Sequence, residues 1–188
     1  MRSARAIDRD GGMQAAHLET LERMPEHYRT LQQLHNERWQ QQGRQGTFEA
    51  AKFNQFHQRL LTLLIPLGLA DISIYSIQDR PVAALYCLFS PDVAYYYQSG
   101  FTATHANRYM PLANAHRLEM QRLAAKGKRS YDFMRGSALS YKQDFGCEAT
   151  QLYNVSMHRQ QSRRWASELR HAGRKVVGQT LRLLRLRS

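Results

Sequence analysis

Residues 130–136 read Ser-Tyr-Asp-Phe-Met-Arg-Gly, and residues 141–146 read Tyr-Lys-Gln-Asp-Phe-Gly. The first string alternates aromatic and polar side chains, which is typical of a short strand, and it ends in an Arg-Gly turn. Because successive side chains of a strand point to opposite faces, Asp132 faces away from the two aromatic residues beside it. The strand, the turn and Lys142 just beyond can therefore place one carboxylate and one ammonium at the same end of a sheet.

The segments before this string predict three neighbouring strands. Residues 70–77 alternate between two faces, residues 82–89 are apolar on both faces, and residues 93–97 end in three tyrosines. Short turns at 79–81 and 90–92 separate these segments. Successive strands joined by short turns form an antiparallel meander, and the strand that is apolar on both faces is its covered centre.

Apolar residues at helical spacing occur on both sides of the meander. One helix is predicted from Pro25 to just before Gly43, because proline suits the first helical turn and glycine suits a helix end. A second helix is predicted to begin at Thr47, which is a good N-cap residue. Its predicted apolar face consists of Phe53, Phe56, Leu60 and Leu64. A third helix is predicted over residues 111–126.

The element order predicts the fold class. A further strand is expected over residues 147–157 and a basic amphipathic helix over about 159–186. Helices and strands in this order predict a mixed α/β or α+β domain, layered around one mainly antiparallel sheet. We expect a flexible leader at residues 1–15, the domain at 16–158 and the basic helix at 159–188.

Composition excludes several classes of protein. The chain has 188 residues, of which 43% are hydrophobic, so it can form one domain with a full core and does not have the composition of a disordered chain. No apolar run reaches the roughly 18 residues of a membrane-spanning helix, and residues 1–12 lack the apolar region of a secretory signal. Two cysteines favour a reducing compartment over a disulfide scaffold, so the cytoplasm is the expected location.

The net charge of +12 is unevenly distributed. Residues 159–188 contain nine Lys and Arg side chains against a single Glu, whereas the preceding body is only mildly basic. The high isoelectric point is therefore mainly a property of the last segment, and the body needs separate consideration.

Several short strings resemble one branch of the GNAT acyltransferases and occur in that branch's order. They are Arg38-Trp39, Gly46-Thr47-Phe48, Phe56-His57, Arg80–Ala84, Tyr95–Gly100, Tyr131–Gly136 and Tyr141–Phe145. The branch comprises acetyltransferase-like proteins associated with cellulose and exopolysaccharide synthesis, and it is related to the Fem-type aminoacyltransferases. The resemblance covers about residues 18–150 and implies the GNAT fold. One departure is Met110-Pro111-Leu112-Ala113, where the branch usually has Pro-Gly.

The resemblance implies acetyl-CoA, or another acyl-CoA, as the donor, and no metal. In GNAT enzymes the acyl-CoA lies against a splayed central strand, and its pyrophosphate meets the N-terminus of the next helix, where N–H groups and the helix dipole favour an anion. Here that strand is 93–98 and that turn is 109–114. The implied cofactor-binding residues are Tyr96, Tyr97, Arg108, Leu112, Ala113 and Asn114. The alternative is an ordinary connection from strand to helix.

The closing strings carry the candidate catalytic residues. In the resembling family the lysine that matches Lys142 lies close to the acyl group, where an ammonium can stabilise an oxyanion; the alternative is an ion pair with Asp132 or Asp144, or a solvated lysine. Asp132 could be a general base or could hold Lys142, but a structural role in accepting N–H groups of loop 136–140 is the favoured reading. Tyr141 could protonate the departing thiolate.

Four further residues are candidates for binding the acceptor substrate. Trp39 would pack at the border of the acceptor pocket while Arg38 binds an anionic sugar or phosphate, and a surface ion pair is the alternative for Arg38. His57 lies on an apolar helix face, where a hydrogen-bonded core histidine is commoner than a base. Arg135 of the Arg-Gly turn completes the set. The other histidines show no metal-ligand spacing, and neither cysteine has the context of a nucleophile.

These patterns predict an enzyme that moves an acetyl or other acyl group from CoA to an amine or hydroxyl of a saccharide or cell-envelope precursor. The alternative is a non-catalytic or half-domain module that binds an anionic membrane or a polysaccharide-synthase partner through its basic helix. That helix suits peripheral contact with the inner membrane surface at 181–187, and docking on the sheet at 160–176. No nucleic-acid-reading motif is present, and the oligomeric state is not indicated.

Overall fold

The computed structural model describes residues 7–18, 20–103, 106–134, 141–151 and 153. Within these residues it contains one sheet of five strands, in which neighbours along the chain are also neighbours in space. The first four strands are antiparallel, and the fifth is parallel to the fourth. The strands are β1 (Gln14–Ala16), β2 (Ala70–Ile77), β3 (Arg80–Phe89), β4 (Val93–Phe101) and β5 (Ser130–Asp132). The mixed, mainly antiparallel sheet and its three-stranded meander are confirmed.

Helices cover both faces of this sheet. They are α1 (Met24–Gln41), α2 (Ala51–Leu64), the single turn α3 (Ala106–Tyr109) and α4 (Pro111–Ala125). Proline lies in the first turn of both α1 and α4, as its missing N–H allows. Short 3-10 helices at Leu21–Arg23, Thr47–Glu49 and Tyr141–Phe145 connect the larger elements.

The two faces of the sheet form two apolar clusters. On one face α1 and α2 pack against alternate residues of β2 and β3, among them Ile72 and Tyr86. On the other face α4 packs against the intervening residues, such as Tyr75 and Leu85. Because β3 lies at the centre, residues 82–87 are buried on both faces. The covered central strand is therefore confirmed.

A close contact between α1 and β4 depends on glycine. A Cβ atom at Gly100 would lie 2.4 Å from the backbone nitrogen of His35 and 2.7 Å from the Cβ of Leu34, which no side chain tolerates. Beside it, Nδ1 of His35 lies 2.8 Å from the carbonyl oxygen of Ser99. This contact fixes the C-terminal half of α1, including Arg38, over the end of β4.

The start of the chain differs from the prediction of a leader at 1–15. Gln14–Ala16 form β1 and pair with β2, and Ile7 is buried against Val82 and Tyr109. A three-residue edge strand after Gly11-Gly12 has too short a pattern to show alternation. The chain divides after Phe145, whereas the boundaries at 16–158 and 159–188 stay predictions.

One local prediction is wrong, and a second is contradicted over the residues that the structure describes. The second helix begins at Ala51 without a side-chain cap, because Thr47 is taken up by a 3-10 turn and the Asn54 side chain instead donates to the Phe48 carbonyl. The strand expected over 147–157 is absent from the described residues 147–151 and 153, all of which are exposed. An extended segment with no neighbouring strand gains no ladder hydrogen bonds. The predicted helix at 159–188 lies outside the described residues.

Candidate active site

The central feature of the site is the separation of β4 from β5. Their parallel pairing spans only three residue pairs, from Val93 with Ser130 to Tyr95 with Asp132. At the same point the register between β3 and β4 shifts, which leaves Tyr97 as an extra residue in β4. Such a bulge bends a strand and increases its twist. In the described part of the chain β4 therefore continues from Tyr96 without a strand partner on the β5 side, so the two strands separate there; we call the surroundings of this point the cleft between β4 and β5.

Aromatic side chains line this cleft together with one lysine. Nζ of Lys142 donates a hydrogen bond to the carbonyl oxygen of Phe133, just after β5. The same nitrogen lies 5.8 Å from the centre of the Tyr96 ring. Tyr141, the residue before the lysine, is hydrogen-bonded to Tyr96, and burial is the main reason why the pKa of the Tyr141 hydroxyl is raised. Both hydroxyls are therefore protonated at neutral pH and can donate protons.

Arg38 reaches this cleft from the far end of α1. Its guanidinium carbon lies 4.5 Å from the centre of the Phe101 ring, at the end of β4. Burial raises the pKa of Tyr141, and the positive charge of Arg38 partly opposes that rise. The structure thus brings Arg38, Tyr96, Tyr141 and Lys142 together.

The turn into α4 has the backbone N–H groups of an anion-binding site, and the arginine beside it already forms an ion pair. Pro111 opens α4 after Met110, whose φ is +43°, and the next two residues present N–H groups that lack intrahelical partners. Nη2 of Arg108 lies 2.7 Å from Oδ2 of Asp10, and the Tyr109 hydroxyl donates to the same oxygen over 2.7 Å. A carboxylate of the N-terminal segment therefore binds the arginine that was expected to meet the pyrophosphate.

Comparison with known protein families gives a match over most of the chain. A family model described as an acetyltransferase (GNAT) domain matches residues 1–143. The chain belongs to the GNAT acetyltransferase family. Comparison with curated proteins finds no match.

Solved GNAT structures share the fold. One is a GCN5-related N-acetyltransferase from Ralstonia eutropha JMP134, with a TM-score of 0.53 and 16% identity over 78% of this chain and 99% of that chain. Another, from Clostridium acetobutylicum, is named a predicted acetyltransferase with acetyl-CoA, with a TM-score of 0.52 and 10% identity over 79% of this chain and 99% of that chain. The GNAT fold and the enzyme class expected from the sequence are confirmed.

Several residues predicted for this GNAT site lie outside its cleft. His57 is buried on the opposite face of the sheet, where its Nε2 is 3.0 Å from the Tyr97 hydroxyl and its Nδ1 is 3.3 Å from that of Tyr86. Burial lowers the pKa of His57. This is the geometry of a hydrogen-bonded core histidine, and the Tyr97 side chain shares that face.

Asp132 and Asn114 are engaged in local structure. Oδ1 of Asp132 accepts the backbone N–H of Met134 over 2.6 Å, and the side chain is exposed. Asp132 therefore accepts a backbone N–H group, as the structural role requires, but the donor is Met134 and not a residue of the loop 136–140. Nδ2 of Asn114 donates to the carbonyl oxygen of Tyr109 over 2.7 Å and closes the turn before α4.

Three predicted residues remain at the edge of the site. Leu112 is buried and Ala113 is half-buried in the first turn of α4. Nε1 of Trp39 is buried without a hydrogen-bond partner among the described residues. The guanidinium carbons of Arg38 and Arg44 lie 5.8 Å and 6.0 Å from the centre of the Trp39 ring. Arg135 lies outside the described residues.

His116 of α4 is a residue of the cleft that the sequence analysis did not select. It is fully buried, with Nδ1 2.9 Å from the Tyr131 hydroxyl and Nε2 3.4 Å from the Tyr141 hydroxyl. Burial, assisted by the charge of Lys142, lowers the pKa of His116 to about 3. A neutral imidazole between two tyrosines can fix the direction of the Tyr141 hydroxyl.

A second group of polar residues that the sequence analysis missed lies deeper under α4. Arg122 bridges two buried carboxylates, since its Nη2 is 2.8 Å from Oδ2 of Asp71 and 2.5 Å from Oε1 of Glu119. The Tyr75 hydroxyl donates to Glu119 over 2.6 Å, and Nδ1 of His17 lies 4.0 Å from each carboxylate. The detectable signal was a polar series at helical spacing, His116, Glu119 and Arg122, on the buried face of a helix.

In residues 7–18, 20–103, 106–134, 141–151 and 153, no group of three or more His, Cys, Asp or Glu side chains could hold a metal ion. The helices of that same part of the chain are too short or too polar to cross a membrane.

The buried His116 leads to a prediction about acid stability. The pKa of His116 is about 3 in the folded state and 6.5 in the unfolded state. The free energy of unfolding is therefore unaffected by His116 protonation above pH 6.5, and it falls as the pH drops from 6.5 towards 3. One extra proton taken up on unfolding costs about 1.4 kcal/mol per pH unit. Denaturant unfolding of the wild type and His116→Gln at several pH values should show a slope smaller by that amount in the variant. Equal slopes would contradict the assignment.

Proposed function

We propose that this GNAT protein transfers an acetyl group from acetyl-CoA to an amine or hydroxyl of a saccharide or cell-envelope precursor. The observation that carries the proposal is the cleft between β4 and β5, where Arg38, Tyr96, Tyr141 and Lys142 meet. The finer placement in the branch associated with polysaccharide synthesis, and related to the Fem-type enzymes, is supported by the strings that it shares with this sequence.

The proposed chemistry is direct attack of the acceptor on the thioester. Lys142 would supply the positive charge that stabilises the developing oxyanion, because a positioned donor in a cleft is already oriented when that charge forms. Tyr141, whose hydroxyl is protonated at neutral pH, would give its proton to the leaving thiolate, and the proton that the attacking amine or hydroxyl loses would restore the Tyr141 hydroxyl, so the products are the acetylated acceptor and the CoA thiol. His116 would hold that hydroxyl in place. Asp132 would maintain the turn after β5 and not act as the base.

The acceptor end of the cleft has the character of a sugar-binding surface. The Arg38 guanidinium lies over the Phe101 ring and near the Trp39 ring, which combines a cation with flat apolar faces. Such faces suit the carbon side of a pyranose ring, and the guanidinium suits a carboxylate or phosphate on it. We therefore propose an anionic saccharide as the preferred acceptor class.

The donor end combines the first turn of α4 with Arg108. The N–H groups of Leu112 and Ala113 would meet the pyrophosphate of the acyl-CoA, and Arg108 would add charge once it leaves Asp10. The edge of β4 around Tyr96 would receive the pantetheine arm. The alternative function as a membrane or synthase module depends on residues 159–188, and it rests on the sequence pattern alone.

The test is acceptor-dependent release of CoA by the full chain. Acetyl-CoA would be incubated with neutral, amino and acidic saccharides, and free CoA would be separated by chromatography, because the exposed thiol of Cys147 would react with a thiol reagent. We expect turnover with an acidic or amino saccharide. Binding of acetyl-CoA without release in the presence of any acceptor would contradict the proposed activity.

The ion pair at the donor end predicts an effect on affinity. Asp10→Asn removes the carboxylate that competes for Arg108, so acetyl-CoA should bind about two- to fivefold more tightly, as expected for one partly exposed charge pair. Calorimetric titration would measure this, with the exposed neighbour Asp8→Asn as the control. An unchanged or weaker affinity in Asp10→Asn would show that Arg108 does not meet the pyrophosphate.

A further inference from the structure

The apolar side chains of helix α2 form one wide sector that runs from its buried side to its exposed side. Its inner face packs on the sheet side of the molecule through Leu61 and His57, which are buried. Its outer face carries a line of apolar side chains of which Phe56 is 59% exposed and Leu63 is 67% exposed. Leu67, in the turn after the helix, continues that line and is 67% exposed. A contiguous line of exposed apolar side chains with polar residues beside it is typical of an interaction surface, so this side of α2 has the character of a binding face.

The charges around this face have one sign. Lys52 and Arg59 flank the exposed side chains and line the same shallow groove. These two cations are the charged residues of the groove; residues 50–70 contain no Asp or Glu, and the nearest acidic residue in the sequence is the exposed Glu49 before the helix. The outer face of α2 is thus an apolar line bordered by cations. We call it the α2 face.

A second copy of the chain is a poor partner for the α2 face. A two-fold contact would bring Lys52 and Arg59 of both copies together without an acidic counterpart in the segment, and like charges in an interface oppose association. An anionic lipid surface has the opposite charge and needs no matching shape. Lysine and arginine can extend their heads to the headgroups while their stems and the neighbouring apolar side chains enter the acyl boundary.

We propose that the α2 face docks this protein on an anionic lipid bilayer. Residues 52–67 extend over about 20 Å at the helical rise, so the helix would lie in the plane of the interface. Phe56, Leu63 and Leu67 enter the bilayer, and each flanking cation adds electrostatic attraction. The proposal is independent of acetyl transfer, and its test needs no substrate.

The experiment is co-sedimentation of the full chain with phosphatidylcholine vesicles, with and without about one third phosphatidylglycerol. The double variant Phe56→Ser and Leu63→Ser keeps every charge and removes only exposed side chains. We expect it to bind the anionic vesicles at least about tenfold more weakly than the wild type. The matched control, Leu21→Ser with Tyr153→Ser, removes two exposed apolar side chains elsewhere and should bind within about twofold of the wild type.

A fluorophore on Leu63→Cys gives a position-specific signal, in a Cys147→Ser background that leaves only the buried Cys87. Its emission should shift to the blue on anionic vesicles, whereas a label on Gln33→Cys, exposed on α1, should not shift. Equal vesicle binding by the double variant and its control would overturn the proposal. Concentration-dependent dimers that the double variant abolishes, without a blue shift on vesicles, would also overturn it and assign the face to a second copy.

Discussion

Replacing Lys142 with alanine should lower the kcat of acetyl transfer by about a hundredfold or more, which is the usual cost of removing one oxyanion donor. The ammonium is held by the Phe133 carbonyl beside the Tyr96 ring, so it is oriented before the acyl group arrives. The ammonium stabilises the acetyl carbonyl group only when its oxygen becomes negative in the transition state. The KM for acetyl-CoA should therefore change much less than kcat.

Two variants separate this role from a structural one. Lys142→Arg keeps the positive charge and should retain more activity than Lys142→Ala, because a cation still faces the cleft. Lys126→Ala removes an exposed lysine at the end of α4 and should leave kcat unchanged. Full activity of Lys142→Ala, with an unchanged melting temperature, would contradict the catalytic assignment of this residue.

Replacing Arg122 with methionine should lower the free energy of unfolding by about 3–5 kcal/mol, the typical cost of breaking a buried ion pair. Asp71 is 5% exposed and Glu119 is fully buried, so both carboxylates would lose their cation without gaining water. Burial raises the pKa of Asp71, and Arg122 opposes that rise. The variant should therefore regain stability as acidification protonates Asp71.

Denaturant unfolding of two further variants tests the role of the Arg122 cation. Glu119→Gln combined with Arg122→Met removes one of the stranded charges, so the double variant should be less destabilised than the single variant. Arg117→Met changes an exposed arginine of the same helix and should cost less than about 0.5 kcal/mol. A loss in Arg122→Met as small as that in Arg117→Met would show that the carboxylates do not depend on this cation.

The strand patterns in the sequence predicted most of the sheet, because the order of apolar and polar residues matches which side chains are buried on each face. Residues 70–77 alternate between two covered faces, and residues 82–87 are buried on both, as a central strand must be. The edge strand β1 is only three residues long and has no readable period. The strand expected at 147–157 is not formed by the described residues 147–151 and 153, and a local pattern does not reveal whether a neighbouring strand exists.

Short strings supplied candidate residues for the site, and the catalytic and binding roles of these residues stay predictions. Lys142, Tyr141 and Arg38 were selected from the resemblance, and the structure places them about one cleft. His57 was a candidate because the Phe56-His57 string resembles the family, although a core histidine was the commoner expectation; the structure buries His57 and exposes Phe56.

His116 and Arg122 depend on the contact between α4 and the sheet. Their partners, Tyr131 and Tyr141 for the histidine and Asp71 for the arginine, lie 15 or more residues away along the chain. Periodicity shows that polar residues interrupt the buried apolar face of a helix, but the sequence does not show which distant side chains bind them.

The most direct test of the account is thermal unfolding of the full chain with and without acetyl-CoA. ADP and tripolyphosphate are the controls, because a chain with a net charge of +12 attracts any polyanion. At a hundred times its dissociation constant, a specific ligand stabilises by about 2.7 kcal/mol, or about 5–10 °C for a chain of this size. A shift of that size with acetyl-CoA, well above both controls, is the predicted result. Equal shifts with all three ligands, or no shift, would contradict a donor site in the cleft between β4 and β5.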